Sequence, residues 1–194
     1  MSSAYRLTPL PNVFHSCETD QPFTHCLDCE RYLLGGETDY LIEKAVRTFP
    51  EYDTREAVFE YAMCLDCYET LWQSFSEASR EHVEAYFMEH VNVAERTHRF
   101  LEADGDELSA WIGRCMVKGT RRDALEEYQL VGHARGDQLV LSHFPYLVSG
   151  AAMSEVSALL SNETRDELGG FMDEFFGLPP ELRKTPGDPV PVAV

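Results

Sequence analysis

The sequence predicts an α+β fold: a metal-stabilised module of knuckle, β-hairpin and helix, then a second half of hairpin plus helices. Three observations carry this. The tetrapeptide Cys-Leu-Asp-Cys occurs twice, as Cys26-Leu27-Asp28-Cys29 and Cys64-Leu65-Asp66-Cys67. Two pairs of runs rich in aromatic and branched residues are bounded by turn residues, as strands of hairpins are. Between and after them, apolar residues recur at spacings of three and four, the period of a helix with one buried stripe.

Taken in order, residues 1–22 hold Pro9 and Pro11 without periodicity and read as an extended N-terminal segment. Residues 23–93 form the first module. Its knuckle at 23–31 ends near the Gly35-Gly36 turn signal. Tyr40–Val46 and Ala57–Met63 then read as hairpin strands around a loop with Pro50 and Asp53. The alternative for the second run is a helix starting at Asp53-Thr54-Arg55-Glu56, which would put Cys64 and Cys67 on one helical face. Beyond Cys67, Leu71, Phe75, Ala78, His82, Tyr86 and Phe87 mark a buried helical stripe, and Ser74 with Glu77 matches a capping box that divides it in two.

Residues 94–184 form the C-terminal half. A helix through Ala94, Phe100 and Leu101 breaks at Asp104-Gly105-Asp106. Glu127–His133 and Gln138–Phe144 flank Arg135-Gly136-Asp137, a tripeptide of turn-favouring residues. Helices follow at 151–160 and 165–176, the last capped by Thr164 with Glu167 and stopped by Gly177 and Pro179-Pro180. Residues 185–194, with Pro186, Pro189 and Pro191, are a Pro-rich tail.

Four thiolates fill the tetrahedral shell of a structural Zn²⁺, and a two-residue gap lets both sulfurs of a pair face one ion. Cys26, Cys29, Cys64 and Cys67 are therefore the predicted ligands of one structural Zn²⁺ per chain. The order of knuckle, hairpin and helix, with the second C-x-x-C in the first helical turn, resembles a treble-clef, zinc-ribbon-like zinc finger over residues 23–90. Glu30 stands after Cys29, where common forms carry glycine. Treble clefs serve many unrelated functions, so the resemblance implies a scaffold and not an activity.

The second half repeats the order of a knuckle-like turn, hairpin and helix. Cys115 would match Cys26 and Lys118 would replace Cys29, while the helix at 151–160 offers no ligand. This predicts a diverged copy without metal. A rival reading joins Cys115, His133 and His143 as three ligands of a catalytic-type metal; the bland one has a buried thiol and two strand histidines. His82 with His90 read as solvated or core-edge histidines, and His15 with Cys17 as a chance pair that is a fallback should one of the four ligands be wrong.

The net charge of −18 opposes a broad grip on nucleic acid. Only the stretch 94–135 is nearly balanced, with seven basic and eight acidic residues, including Arg114, Lys118, Arg121 and Arg122. A nucleic-acid-binding zinc-finger protein using that stretch is thus an alternative. No phosphate-cradling glycine loop, G-x-S-x-G or H-E-x-x-H is present, and the enzyme reading is disfavoured. No run reaches the length of a membrane span and the start shows no leader pattern, so a cytoplasmic location is expected. Reduced thiols there favour metal over disulfides, though a dithiol switch that releases zinc is a further option. The expected role is a zinc-stabilised protein-interaction or regulatory module whose partner is another, basic protein.

Overall fold

The computed structural model describes residues 5–102 and 108–177. One antiparallel sheet takes strands from both halves of the sequence. β1 (Arg6–Pro9) precedes β2 (Asp39–Phe49) and β3 (Thr54–Cys64), then β4 (Glu127–Arg135), β5 (Gln138–Leu141) and β6 (Tyr146–Ser149). The order across the sheet is β1-β5-β4-β2-β3, with β6 also pairing β4. The hairpin expected at residues 40–63 is β2–β3, registered from Tyr40↔Cys64 to Phe49↔Thr54 with a bulge between Ala45 and Val46. In the middle, β2 pairs β4 from Asp39↔Arg135 to Arg47↔Glu127.

The second hairpin differs from its expected form. β4 turns through Gly136, at φ +58°, into a short β5 that pairs it only at Ala134 and Arg135. The rest of the partner run leaves the ladder before Pro145, which has no N–H to donate. β6 then returns to pair β4 along Tyr128–Val131, an element the sequence reading missed. The N-terminal segment is likewise more ordered than composition implied. β1 pairs β5 from Arg6↔Leu141 to Pro9↔Gln138, and Phe14, in a 3-10 turn at Asn12–Phe14, is fully buried. Gly132 exists for that ring: a Cβ there would lie 2.7 Å from the Phe14 edge.

Among the described residues, four α-helices lie between β3 and β4 and two follow β6: α1 (Leu65–Ser74), α2 (Glu77–His90), α3 (Val93–Glu102), α4 (Leu108–Ile112), α5 (Gly150–Leu159) and α6 (Asn162–Phe176). The helical stripe does break in two, but at Phe75, and the cap is Ser76 rather than Ser74: its Oγ accepts from the Ser79 N–H. Restarting at Ser76 resets the phase, so the core face of α2 is Ser79, Val83, Tyr86 and Phe87, while Ala78 and His82 are exposed. Similarly, α6 starts earlier than expected and is capped by Ser161, whose Oγ accepts from the Thr164 N–H. Gly177 ends it in the left-handed conformation. The expected break at residues 104–106 and the Pro-rich tail lie outside the described residues.

The α2 and α6 caps meet. Ser76 Oγ lies 3.0 Å from Ser161 Oγ, the Ser76 N–H donates to Thr164 Oγ1 at 3.0 Å, and the Ser161 N–H donates to Ser79 Oγ at 2.8 Å. Beyond this junction α6 lays Phe171 and Phe176 against Tyr61 of β3.

Strand alternation sends neighbouring residues to opposite faces. Glu43 accepts from the Tyr61 hydroxyl at 2.7 Å on the helical face. Next to it, Lys44 turns to the face covered by the N-terminal segment and pairs with Glu60 at 3.0 Å, both side chains largely buried. Glu60 also accepts from Ser16 Oγ and the Cys17 N–H. Burial pushes the Glu60 carboxyl up, but Lys44 and these donors outweigh it and hold it below its ordinary value. Breaking a buried pair from one side leaves a charge uncompensated. Lys44→Met should therefore lower stability by about 3 kcal/mol, read from the urea midpoint at neutral pH. A carboxyl depressed in the folded state contributes stability above its unfolded pKa of about 4.3, lost as pH falls through the lower folded value. That part of the acid slope should flatten in Lys44→Met.

Candidate metal centre

The first knuckle is a tight turn at residues 25–32. The Cys26 N–H donates to Arg31 O at 2.9 Å and the Glu30 N–H to Cys26 O at 3.1 Å. The turn is tied to the sheet by the Leu27 N–H, which donates to Ala62 O at 2.8 Å. Closing it requires a left-handed residue after Cys29, and Glu30 supplies this at φ +56°. A side chain in that region costs about 1–2 kcal/mol, which glycine avoids.

The second pair sits at a strand-to-helix junction. Cys64 is the last residue of β3 and the N-cap of α1, and Cys67 lies in the first helical turn. The hairpin reading, not the helical alternative, thus places this pair. All four Sγ atoms lie within 4.8 Å of one another, and Cys29 Sγ is 3.7 Å from Cys64 Sγ. Four sulfurs about 2.3 Å from a tetrahedral Zn²⁺ would stand about 3.8 Å apart, so the donor set fits one ion. The N-terminal end of α1 adds a partial positive charge that favours thiolates.

Hydrogen bonding orients the cluster. Cys26 Sγ accepts from the Cys64 N–H at 3.4 Å. Burial pushes the Cys26 thiol up, yet the backbone donors around it leave it lowered. Burial raises Cys64 and, more strongly, Cys67, where Asp28 and the neighbouring thiols add to the effect. Across the outside, Arg31 pairs with Asp66 at 2.6 Å, joining knuckle to helix at an exposed position where such a pair contributes little.

Beside Cys67, α1 and α6 enclose a groove of about 490 Å³. Met63, Leu71 and Phe171 supply its apolar lining, and the carboxylates of Asp28, Asp166 and Glu174 stand among its exposed residues. Nothing in the sequence periodicity pointed to it, because its two walls lie far apart along the chain.

Among the described residues, the four cysteines are the only group of three or more metal-ligating side chains close enough to share an ion. Cys115, His133 and His143 are not brought together as a metal site. Cys115 is buried and its Sγ accepts from the Lys118 and Ser149 N–H groups, each at 3.3 Å. His133 Nε2 is 2.8 Å from Asp39, which also takes a two-point contact from Arg135. His143 packs on Phe144. The basic cluster is also engaged within the chain: Lys118 on Glu155, Arg121 on Asp123, Arg122 on the Tyr128 hydroxyl and Arg114 on Gly119 O. Among the described residues no helix is long and apolar enough to cross a membrane.

Glu30→Gly should stabilise the chain by about 1 kcal/mol by relieving the left-handed residue, with the thermal midpoint rising and metal content unchanged. A fall in midpoint would mean the Glu30 side chain contributes more than its backbone costs.

Compared with known proteins, the chain matches no family model, no curated protein and no solved structure.

Proposed function

We propose that the chain is a zinc-stabilised protein-interaction module in which one Zn²⁺, held by Cys26, Cys29, Cys64 and Cys67, ties a treble-clef knuckle to α1. The second half is the same unit in a metal-free form. The partner is a basic protein segment, taken up by the groove beside the metal centre. The observation that carries this reading is the placement of that groove: its apolar lining and its carboxylates adjoin Cys67, in a chain of net charge −18. An apolar surface ringed by one sign of charge binds amphipathic segments of the opposite sign, and the charge sets both steering and selectivity.

The metal part is tested first. A closed four-thiolate site contributes folding energy directly. Elemental analysis of the purified chain should give one zinc per molecule, and a strong chelator should melt the 23–90 region. Full zinc and full stability in Cys64→Ser would overturn the ligand set.

The partner class is tested with a Lys/Arg-rich amphipathic peptide. Amide shifts on titration should concentrate on α1 and α6, and Asp166→Lys with Glu174→Lys should weaken binding by at least about tenfold, the worth of 1.4 kcal/mol. Shifts spread evenly over the acidic surface would reject the groove. Random duplex DNA should not bind at about 0.15 M salt, since the phosphate backbone repels a chain of this charge. Micromolar binding that falls steeply with added salt would instead favour the nucleic-acid reading of residues 94–135.

A further inference from the structure

The turn at Cys115 repeats the first knuckle bond for bond. The Cys115 N–H donates to Thr120 O at 2.8 Å, as Cys26 does to Arg31 O. The Gly119 N–H donates to Cys115 O, as Glu30 does to Cys26 O, and both Gly119 and Glu30 are left-handed. Met116 donates to Leu147 O at 2.8 Å, as Leu27 does to Ala62 O. Isolated bridges close both turns, His25↔Tyr32 in one and Arg114↔Arg121 in the other. At the helix junction the Ser149 N–H donates to Cys115 Sγ, as the Cys64 N–H does to Cys26 Sγ. Ser149 caps α5 where Cys64 caps α1, and both helices run for 10 residues. The match continues to Ser76 and Ser161, each capping the next helix, and each followed four residues later by arginine, Arg80 or Arg165.

This register equates Cys26 with Cys115, Cys29 with Lys118, Cys64 with Ser149 and Cys67 with Ala152. We infer that Cys115, Lys118, Ser149 and Ala152 occupy the four ligand positions of an erased metal site, and that an ion pair between Lys118 and Glu155 has replaced the ion as the tie between knuckle and helix. The inference rests on reading the first site as metal-binding.

The replacement is a coordinated set. Lys118 Nζ lies 2.6 Å and 2.7 Å from the two Glu155 carboxylate oxygens, and the Tyr86 hydroxyl donates to the same carboxylate at 2.7 Å. In the equated positions around the four cysteines stand Cys29, Thr70 and, reaching across from α6, Phe171, which can form no such cluster. The cation and its carboxylate are thus present in the half with one thiol and missing from the half with four, while the hydroxyl that steadies them reaches across from α2 of the first half. Cys115 persists because its sulfur still accepts two backbone N–H groups, the one from Ser149 in a buried position where losing its acceptor is costly. Ser149 and Ala152 are buried, so cysteines there would point into the same enclosed corner.

The test restores the site in the full chain. Lys118→Cys, Ser149→Cys and Ala152→Cys together should raise metal content by one ion over the wild type measured alongside, with added Co²⁺–thiolate absorption. Adding Cys115→Ser should abolish the gain. A folded triple variant with no gain overturns the inference, whereas a wild type without metal overturns only the reading on which it rests. Should the triple variant fail to fold, the reverse exchange decides. Cys29→Lys, Cys64→Ser and Cys67→Ala with Thr70→Glu and Phe171→Tyr should fold without metal and be indifferent to chelator. If that chain is no more stable than one with the three cysteines changed to serine alone, the ion pair is no substitute and the inference falls.

Discussion

The pairing of β2 with β4 is the constraint on which the rest depends. These central strands come from opposite halves of the sequence and are registered over nine residue pairs. Salt bridges close the ladder at both ends, Asp39 with Arg135 and Arg47 with Glu127. Burial pushes Asp39 up, but Arg135 and His133 outweigh this and keep it ionised. The halves are units of about 70 and about 90 residues, small enough that a separate hydrophobic core in each would be modest. Joining the two through one sheet puts Ile42, Leu130 and Leu147 in a single shared core.

Charged groups in this interior follow from the same constraint. A strand buried on both faces has no solvent side, so Glu43, Lys44 and Gln129 must be satisfied internally. Lys44 is satisfied by Glu60, and Glu60 by the backbone and hydroxyl of the segment at Ser16 and Cys17. The N-terminal segment is therefore ordered by a polar requirement of β2 and β3, together with the slot that Gly132 leaves for Phe14.

Local signals in the sequence were legible and long-range ones were not. The paired cysteines marked their own cluster, because a C-x-x-C fixes its two sulfurs within one turn. The β2–β3 hairpin and the C-terminal end of α6 followed from residue type and Gly177. β6 was hidden because Tyr146–Ser149 is too short to show a period, and order near Pro9 and Pro11 was hidden because an edge strand tolerates proline. The phase of α2 was misread by running one stripe through Phe75, where the helix in fact restarts. The inferred correspondence of the halves also has a trace in the sequence: Ser76-x-x-Ser79-Arg80 and Ser161-x-x-Thr164-Arg165 share side-chain chemistry.

In the proposed reading, two chemistries perform one mechanical task, holding a knuckle against a helix N-terminus. They differ in what they do to the field outside. The Lys118–Glu155 pair is neutral, so the tie in the second half leaves its surroundings uncharged. Four thiolates around a divalent ion carry more negative charge than the ion cancels. That excess sits beside Asp28, Asp166 and Glu174, and the low-dielectric lining of Met63 and Phe171 screens it less than water would. The metal half would then be the more negative of two similar units, which selects its groove, and not the equivalent region around Tyr86 and Glu155, as the place where a cationic segment docks.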